Sequence, residues 1–224
     1  MSELSIRLST IASLVPEDAR VCDVGTDHAF LPIFLKRRGR VKSVIATDIN
    51  PKPLAKAEEN IKRSKVEGIS LRLCDGISGV KPDEADTFII AGMGGQVISG
   101  ILKRGEKAVK SEKITLILQP TTSPEFLRKF LYQNGFSILK EIPVEENGKL
   151  YSVMLCAYTR RAEEREEGFY FSGLVDPSDE IGRKYIEKQK NRAFMCLKAL
   201  ENIEEKKNDY LYFKNVFENL KKLV

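Results

Sequence analysis

Several acidic residues and one glycine follow a short apolar segment in a pattern that suits a cationic ligand. The segment ends in Asp23-Val24-Gly25-Thr26-Asp27-His28, where a dinucleotide-binding loop would read GxGxxG. Of the glycines in that pattern, only the first is present, as Gly25. Asp27 stands at the next glycine position, where a carboxylate would repel a pyrophosphate. S-Adenosylmethionine has no phosphate and carries a sulfonium and an ammonium cation, which a carboxylate attracts. The loop therefore disfavours NAD and predicts S-adenosylmethionine as the cofactor, bound by Asp23, Gly25, Thr26, Asp27 and His28.

Two further carboxylates stand at the ends of the next predicted strands. Asp48 lies at the spacing at which an acid accepts hydrogen bonds from both ribose hydroxyls of an adenosine cofactor. Asp75, followed by Gly76, is placed to accept from an adenine amino group. Both residues are also common as strand-end caps or turn residues, and that alternative stays open. The adjoining positions Ile49, Asn50 and Cys74 are predicted to line the same cofactor site.

A glycine-rich segment, Ala91-Gly92-Met93-Gly94-Gly95, follows a fourth apolar strand. Ligands bind outside the carboxyl ends of the strands in open α/β sheets, and glycines let flat groups come close to the backbone. Ala91, Gly92 and Met93 are predicted to contact the cofactor, and Gly94, Gly95 and Pro120 the substrate. The Asn/Asp-Pro-Pro-aromatic tetrapeptide typical of exocyclic-amine methyltransferases is missing here, which favours methylation of a ring nitrogen.

Strands and helices alternate in the periodicity of the first 133 residues. Five strands, at about 20–25, 43–48, 70–74, 87–91 and 114–119, are predicted to form a parallel sheet with helices on both faces. Residues 136–144 and 150–158 predict an antiparallel pair, separated by a loop at 145–149 that contains Asn147-Gly148. A parallel sheet finished by such a hairpin is the Rossmann-like layout of class I methyltransferases.

The last part of the chain has a different pattern. We expect domains at 1–160 and 161–224, with residues 161–168 as a linker and two amphipathic helices beyond Ser178 forming a coiled-coil-like hairpin. Arg183, Lys184, Lys188 and Arg192 fall at near four-residue steps and predict a basic stripe that contacts RNA phosphates. Packing onto the first domain or onto a second subunit is the open alternative for the hairpin.

Composition limits the class of protein. The chain has 224 residues, 42% hydrophobic and 31% charged, which allows a buried core and excludes wholesale disorder. Its net charge of +5 permits a polyanionic partner. The four cysteines are far apart and there is one histidine, so we expect reduced thiols and no metal site. No apolar run suits a membrane helix or a signal peptide, and we expect a cytoplasmic protein.

Taken together, four segments resemble the bacterial tRNA adenine-N1 methyltransferases that modify position 22 of certain tRNAs. The resemblance covers the whole predicted catalytic domain, and the helical tail fits the family's layout. It implies a class I methyltransferase domain, S-adenosylmethionine as methyl donor, tRNA as substrate and a tail that assists in tRNA binding. The segments are Leu4-Ser5-Ile6-Arg7-Leu8 with Ile11-Ala12-Ser13-Leu14-Val15-Pro16, Asp23-Val24-Gly25-Thr26-Asp27-His28-Ala29-Phe30-Leu31-Pro32, Ala91-Gly92-Met93-Gly94-Gly95 and Leu118-Gln119-Pro120.

Methylation of adenine N1 sets modest chemical demands on such a site. The ring nitrogen attacks with its own lone pair, so no general base is needed, but its Watson–Crick edge must first be unpaired. Asp27 is predicted to stabilise the moving positive charge, and His28 or Gln119 to orient the base from the rim of the sheet. A structural role for His28 stays open.

Two other functions remain compatible with these residues: a methyltransferase acting on another nucleobase or a small molecule, and a non-catalytic RNA-binding protein on the same fold. The retained carboxylates Asp23, Asp48 and Asp75 argue against the second, because a binding module has no use for a donor pocket. We expect a monomer or a weak dimer.

Overall fold

A single mixed sheet of seven strands organises the computed structural model, which describes residues 4–224. The strands are β1 (Ala19–Val24), β2 (Val41–Asp48), β3 (Ile69–Leu73), β4 (Thr87–Gly94), β5 (Thr115–Thr122), β6 (Phe136–Glu146) and β7 (Lys149–Tyr158). Their order is β3-β2-β1-β4-β5-β7-β6. The first five are parallel, and β7 is antiparallel to both β5 and β6. This confirms the predicted fold class.

Nine α-helices accompany the strands in residues 4–224. They are α1 (Ile6–Leu14), α2 (Phe30–Arg37), α3 (Pro51–Ser64), α4 (Gly95–Arg104), α5 (Glu106–Val109), α6 (Pro124–Gln133), α7 (Glu167–Ser172), α8 (Glu180–Leu200) and α9 (Lys207–Lys221). Pro51 and Pro124 begin α3 and α6, where a missing N–H costs nothing. The helices pack on two separate apolar clusters, one containing Phe88 and Ile90 and the other Ile89. Because neighbouring strand residues point to opposite faces, helices cover the sheet on both sides.

The hairpin between β6 and β7 is tighter than predicted. The ladder continues to the pair Glu146 and Lys149, so only Asn147 and Gly148 form the turn. Both residues have positive φ, 51° and 71°, as a two-residue type I′ turn requires. The expected longer loop at 145–149 is therefore wrong, because the Asn-Gly pair closes the hairpin with no additional residues.

The C-terminal part contains the two expected helices, α8 and α9. It also contains the short helix α7, which was not predicted because the charged composition of 161–168 indicated a linker. The helices α8 and α9 pack against each other and share a small apolar core with Phe171 of α7. Side chains of this core include Tyr185, Ile186, Ala193, Val216 and Leu220. Of the expected linker, only 161–166 is non-helical, since α7 begins at Glu167.

A buried ion pair ties this helical part to the sheet. Arg128 of α6 is fully buried and lies 2.6 Å from the carboxylate of Glu141 on β6. Its guanidinium also donates to the carbonyls of Tyr170 and Phe171 at 2.6 and 3.0 Å, and to the hydroxyl of Tyr185 on α8 at 2.7 Å. One side chain therefore joins α6, β6, α7 and α8, and this contact was not predicted from the sequence.

Three observations concern thiols, metals and membranes. The four cysteines are free thiols, and burial raises the pKa of Cys22 and Cys156 well above the ordinary range. Residues 4–224 contain no group of three or more His, Cys, Asp or Glu side chains arranged to hold a metal ion. Within the same range, no helix has both the length and the apolar character needed to cross a bilayer.

Candidate functional site

The loop after β1 is built by a sharp turn at Gly25. This glycine has φ of +77°, and a β-carbon there would overlap the terminal methyl of Met93. The backbone N–H groups of Gly25 and Thr26 donate to the carbonyl of Thr47 on β2, at 2.8 and 2.9 Å. The turn is thus fixed between the ends of two parallel strands, which is where the sequence placed it.

A cavity of about 340 Å³ opens beside this loop. Asp23 lies at its inner end and is buried, and burial raises the pKa of this carboxyl to about 6, although a hydrogen bond from Thr26 opposes the rise. A carboxylate in such surroundings gains from a cationic ligand that replaces the lost solvation. The cavity is lined by Arg7, Leu8, Asp23, Val24, Gly25, Thr26, Asp27, His28, Ala29, Phe30, Leu31, Ala91 and Gly92. We call it the donor cavity.

Asp27 and His28 form the outer wall of the donor cavity. The Asp27 carboxylate lies 3.2 Å from Nε2 of His28 and is 71% exposed. The imidazole stacks on Phe30 with the ring centroids 5.2 Å apart, and Asn60 donates to the carbonyl of His28 at 3.0 Å. These contacts hold the histidine at the cavity mouth, where a bound base or donor can reach the Asp27 carboxylate.

The ends of β2 and β3 bring the other predicted donor residues together. The backbone N–H of Cys74 donates to the carbonyl of Asp48 at 2.9 Å, and the carbonyl of Gly76 accepts from the Thr47 hydroxyl at 2.9 Å. Asp48 uses Oδ1 to accept the N–H of Asn50 at 2.7 Å, which leaves Oδ2 for a ligand. Ile49 is 61% exposed beside it. The predicted clustering of these residues at one edge of the sheet agrees with the structure.

The carboxylate of Asp75, which we expected to accept only from a ligand, already has a partner within the protein. Its Oδ1 accepts from the guanidinium of Arg104, at the end of α4, at 3.0 Å. Both side chains are at least half exposed, so the pair is weak and one carboxylate oxygen stays accessible. Arg104 therefore orients Asp75, a contact that the sequence did not indicate.

The glycine-rich segment continues β4 instead of forming a loop. Ala91 to Gly94 stay in the strand, and Met93 and Gly94 pair with Pro120 and Thr122 of β5. The ladder is irregular at Gly92, which has φ of +79°. The helix α4 then begins at Gly95, where the carbonyl of Ser123 occupies the position of a β-carbon. The strand predicted to end at 91 therefore continues to Gly94, and its irregular end lines the donor cavity at Ala91 and Gly92.

Gln119 does not lie on the rim of the sheet, as the sequence predicted, because β5 continues past it to Thr122. Its side chain is fully buried, and its Oε1 accepts from Nη1 of Arg7 at 2.7 Å and from the N–H of Gly92 at 3.1 Å. Its Nε2 donates to the carbonyl of Pro120 at 2.8 Å. The amide oxygen and nitrogen therefore both have partners within the protein, and this buried side chain positions the strand end instead of contacting a base.

Arg7 is the main site residue to which sequence reasoning gave no role. Its backbone N–H and Nε donate to the carboxylate of Glu146 at 3.0 and 3.3 Å, and its guanidinium carbon lies 5.5 Å from the ring centre of Tyr151. Burial tends to raise the pKa of Glu146, but hydrogen bonds from Arg7 and Ser5 outweigh it and the pKa is lowered. Among residues 4–224, nothing accepts a hydrogen bond from Nη2 of Arg7. That nitrogen is available to an anionic ligand.

The predicted basic stripe on α8 divides into two parts. Lys184 lies 2.9 Å from Glu180 and 3.4 Å from Glu145, and Arg183 is exposed. Lys188 and Arg192 instead line a second cavity together with Pro120. Lys188 and Arg192 therefore lie at the end of β5, whereas Lys184 lies beside β6.

A parallel sheet finished by an antiparallel hairpin, with an anionic turn after the first strand, is the layout of the Rossmann-like class I methyltransferases. Residues 4–154 match the family described as a methyltransferase domain. The chain is 32% identical over 194 residues to the tRNA (adenine(22)-N(1))-methyltransferase of Bacillus subtilis, covering 86% of this chain and 79% of that one. The chain belongs to the family of bacterial tRNA (adenine-22 N1)-methyltransferases.

Solved structures agree with this family over almost the whole chain. The B. subtilis M1A22 tRNA methyltransferase TrmK is 29% identical with a TM-score of 0.88, covering 99% of this chain and 98% of that one. A Streptococcus pneumoniae relative in complex with S-adenosyl-L-methionine is 30% identical with a TM-score of 0.83, over 99% of both chains. M. capricolum TrmK in complex with S-adenosyl-homocysteine is 28% identical with a TM-score of 0.81, over 99% and 97%.

Proposed function

We propose that this chain transfers a methyl group from S-adenosylmethionine to N1 of adenine 22 in tRNA. The observation that carries the proposal is the donor cavity, where buried Asp23 and exposed Asp27 provide negative charge and Asp27 stands at the position of a glycine in phosphate-binding loops. Family membership supplies the substrate, because the B. subtilis relative is named for adenine 22 of tRNA.

The residues in and around the donor cavity fit S-adenosylmethionine by charge and by hydrogen-bonding capacity. Asp23 and Asp27 suit the ammonium and sulfonium cations, and Nη2 of Arg7 suits the carboxylate of the same amino-acid group. Asp48 and Asp75 do not line the donor cavity itself but stand at the ends of the strands β2 and β3. With the donor bound, Asp48 Oδ2 would accept from the ribose hydroxyls, and Asp75, oriented by Arg104, would accept from the adenine amino group. The remaining contacts are assigned to Gly25, Thr26, His28, Ile49, Asn50, Cys74, Gly76, Ala91, Gly92 and Met93.

The reaction requires the protein mainly to position the adenine and the donor and to stabilise the positive charge that moves between them. When bound, S-adenosylmethionine supplies a methyl group whose bond to sulfur breaks as the N1 lone pair forms the new bond, leaving a neutral thioether and a cationic base. Asp27 stabilises the positive charge as it moves outward, and His28 orients the adenine at the mouth of the cavity. Gln119 acts indirectly, by holding the N–H of Gly92 and the guanidinium of Arg7.

We assign residues 1–160 to the catalytic domain and 161–224 to a helical domain that helps to bind tRNA. Gly94, Gly95 and Pro120 lie on the side of the catalytic domain that receives the base, and Arg183, Lys184, Lys188 and Arg192 provide positive charge on α8. The proposed coiled-coil character of the tail is supported by the packing of α8 on α9. Residues 1–3 of the first assignment lie outside the described residues.

We further propose that the protein acts as a monomer or weak dimer in the cytoplasm, where its tRNA substrate is made. Several apolar residues of the tail stay exposed, among them Met195 and Leu211, and they are the surface that a weak dimer would use. Sedimentation velocity across a concentration series tests this point, because a tight dimer at the lowest concentration would contradict it.

The test of the proposed function is incubation of unmodified tRNA with the protein and donor, followed by nucleoside mass spectrometry. We expect N1-methyladenosine at the first time point. Methyl on guanine, cytosine or adenine N6 at that point would indicate a methyltransferase with another target. Donor and tRNA binding without methyl transfer would indicate a binding protein.

A further inference from the structure

A second cavity, of about 330 Å³, lies between the end of β5, the start of β7 and helix α8. This volume is at the lower end of the range of about 300 to 1,000 Å³ typical of small-ligand pockets. We call it the β5–α8 cleft. It is lined by Pro120, Thr121, Thr122, Ser123, Pro124, Leu150, Tyr151, Ser152, Tyr185, Lys188, Gln189 and Arg192.

The lining suits a phosphate ester. Lys188 and Arg192 lie four residues apart on one face of α8, and the hydroxyl-bearing residues Thr121, Thr122 and Ser123 line the same cleft. Partial burial and the nearby cations Arg192 and Lys149 lower the pKa of Lys188, so positive charge is crowded here. Glu125 on α6 pairs with Arg192 and offsets part of that charge, whereas the one acceptor of Lys188 among residues 4–224 is the carbonyl of Leu150, at 3.0 Å. An anion in the cleft would relieve the remaining repulsion.

The cleft adjoins the donor cavity. Arg7 lines the donor cavity, and its guanidinium carbon lies 5.5 Å from the ring centre of Tyr151, which lines the cleft. Pro120, also in the cleft, pairs in the sheet with Met93, next to Gly92 of the donor cavity. A planar group beside Tyr151 would therefore be separated from the donor cavity by the side chain of Arg7.

We propose that the β5–α8 cleft is the acceptor-nucleotide pocket, which takes one nucleoside phosphate unit of the RNA with its base beside Tyr151 and its phosphate at Lys188 and Arg192. The inference rests on the proposed function and gives it a location. It assigns Tyr151 a stacking role and separates Lys188 and Arg192 from the rest of the basic stripe. Aromatic rings are common platforms for unpaired bases because every base has a face to stack.

The phosphate half of the proposal is tested with Lys188→Gln and a matched control, Lys190→Gln. Lys190 lies on the same helix, carries the same charge, and is not among the residues that line the cleft. We expect Lys188→Gln to raise the KM for tRNA about threefold to tenfold and to reduce the salt slope of binding by about one, with Lys190→Gln close to the parent protein. Equal effects of the two variants would overturn the phosphate site, because the helix would then add only diffuse charge.

The base half is tested with Tyr151→Ala and Tyr151→Phe. We expect Tyr151→Ala to lower kcat/KM for tRNA about tenfold or more, since the stacking surface is lost, and Tyr151→Phe to stay within about threefold. Binding of S-adenosylhomocysteine and the thermal unfolding midpoint serve as controls that each variant is folded. Unchanged kcat/KM in a folded Tyr151→Ala variant would overturn the stacking role.

Failure of the proposed function is distinguishable from failure of the cleft. If the parent protein does not methylate tRNA, the proposed function fails, and the cleft is then judged from tRNA binding alone. In that case, equal tRNA affinity of Lys188→Gln and Lys190→Gln overturns the cleft, and a selective loss in Lys188→Gln supports it as an RNA-binding pocket.

Discussion

The guanidinium of Arg7 donates to Oε1 of Gln119 at 2.7 Å, and the same oxygen accepts the N–H of Gly92 at 3.1 Å. One buried amide therefore connects the first helix to the irregular end of β4 at the donor cavity. Because Nη2 of Arg7 has no acceptor among residues 4–224, the contact leaves one guanidinium nitrogen for a ligand.

Replacement of Arg7 is expected to weaken donor binding. Arg7→Gln removes a charge-assisted hydrogen bond to the donor carboxylate, and such bonds contribute roughly 1.5 to 3 kcal/mol, so affinity should fall about tenfold or more. Calorimetry with S-adenosylhomocysteine measures the change. Arg38→Gln, which removes the same charge from the surface next to Phe34, is the control and should bind normally. Equal donor affinity of Arg7→Gln and the parent protein would remove Arg7 from the donor site.

Replacement of Asp48 tests the ribose contact. Asp48→Ala removes the Oδ2 acceptor together with the bond from Asn50, and we expect about tenfold or greater loss of affinity for S-adenosylhomocysteine. Glu59→Ala removes an exposed carboxylate from the neighbouring helix α3 and is the matched control. If both variants bind the donor equally well, Asp48 is only a turn residue.

Asp23 links the donor site to the pH dependence of stability. Burial raises the pKa of this carboxyl to about 6, above its value in the unfolded chain, so the folded state holds the proton more tightly. Stability from this group is therefore fully present below the unfolded pKa of about 4 and is lost as pH rises through about 6. A difference of about two pKa units corresponds to about 3 kcal/mol.

The variant Asp23→Asn is expected to separate stability from function. Without ligand at pH 8, its free energy of unfolding should exceed that of the parent protein by up to about 3 kcal/mol, because no charge is buried. It should bind donor poorly at the same pH. Urea unfolding at pH 4, 6 and 8 measures the first effect. If the free energy of unfolding of the parent protein, relative to Asp23→Asn, rises from pH 4 to pH 8, this assignment is wrong.

Removing one partner of the buried pair of Arg128 and Glu141 is expected to destabilise the folded protein, whereas replacing both by apolar residues is not. Arg128→Ala leaves the Glu141 carboxylate without its cation and should cost about 3 to 5 kcal/mol in unfolding free energy. The double variant Arg128→Met with Glu141→Leu should recover most of that loss. Denaturant unfolding of the single and double variants measures the coupling. Equal stability of Arg128→Ala and the double variant would contradict this expectation, because it would show that the unpaired Glu141 carboxylate is solvated.

Apolar periodicity predicted the central strands well because β1, β2, β4 and β5 each contain a run of buried residues, and β1 was placed within one residue. The ends of β4 and β5 were missed, since glycine and proline suggest the end of a strand, whereas the pairing of Met93 with Pro120 and of Gly94 with Thr122 keeps both strands extended. Gln119 was misplaced for the same reason.

The carboxylates of the candidate site were predictable because they end successive strands, and parallel strands end at one edge. The roles of Arg7 and Arg128 were not, because their partners are distant in sequence. Arg7 lies 112 residues from Gln119, and Arg128 lies 57 residues from Tyr185. No local pattern of residues encodes such contacts.

The central claim is most directly tested by methyl transfer to one tRNA transcript in two forms, one with adenine at position 22 and one with guanine there. We predict about one N1-methyladenosine per molecule in the first transcript, mapped to position 22 by primer-extension arrest, and none in the second. Equal methyl incorporation into both transcripts, or an arrest at any other adenine, would contradict the account.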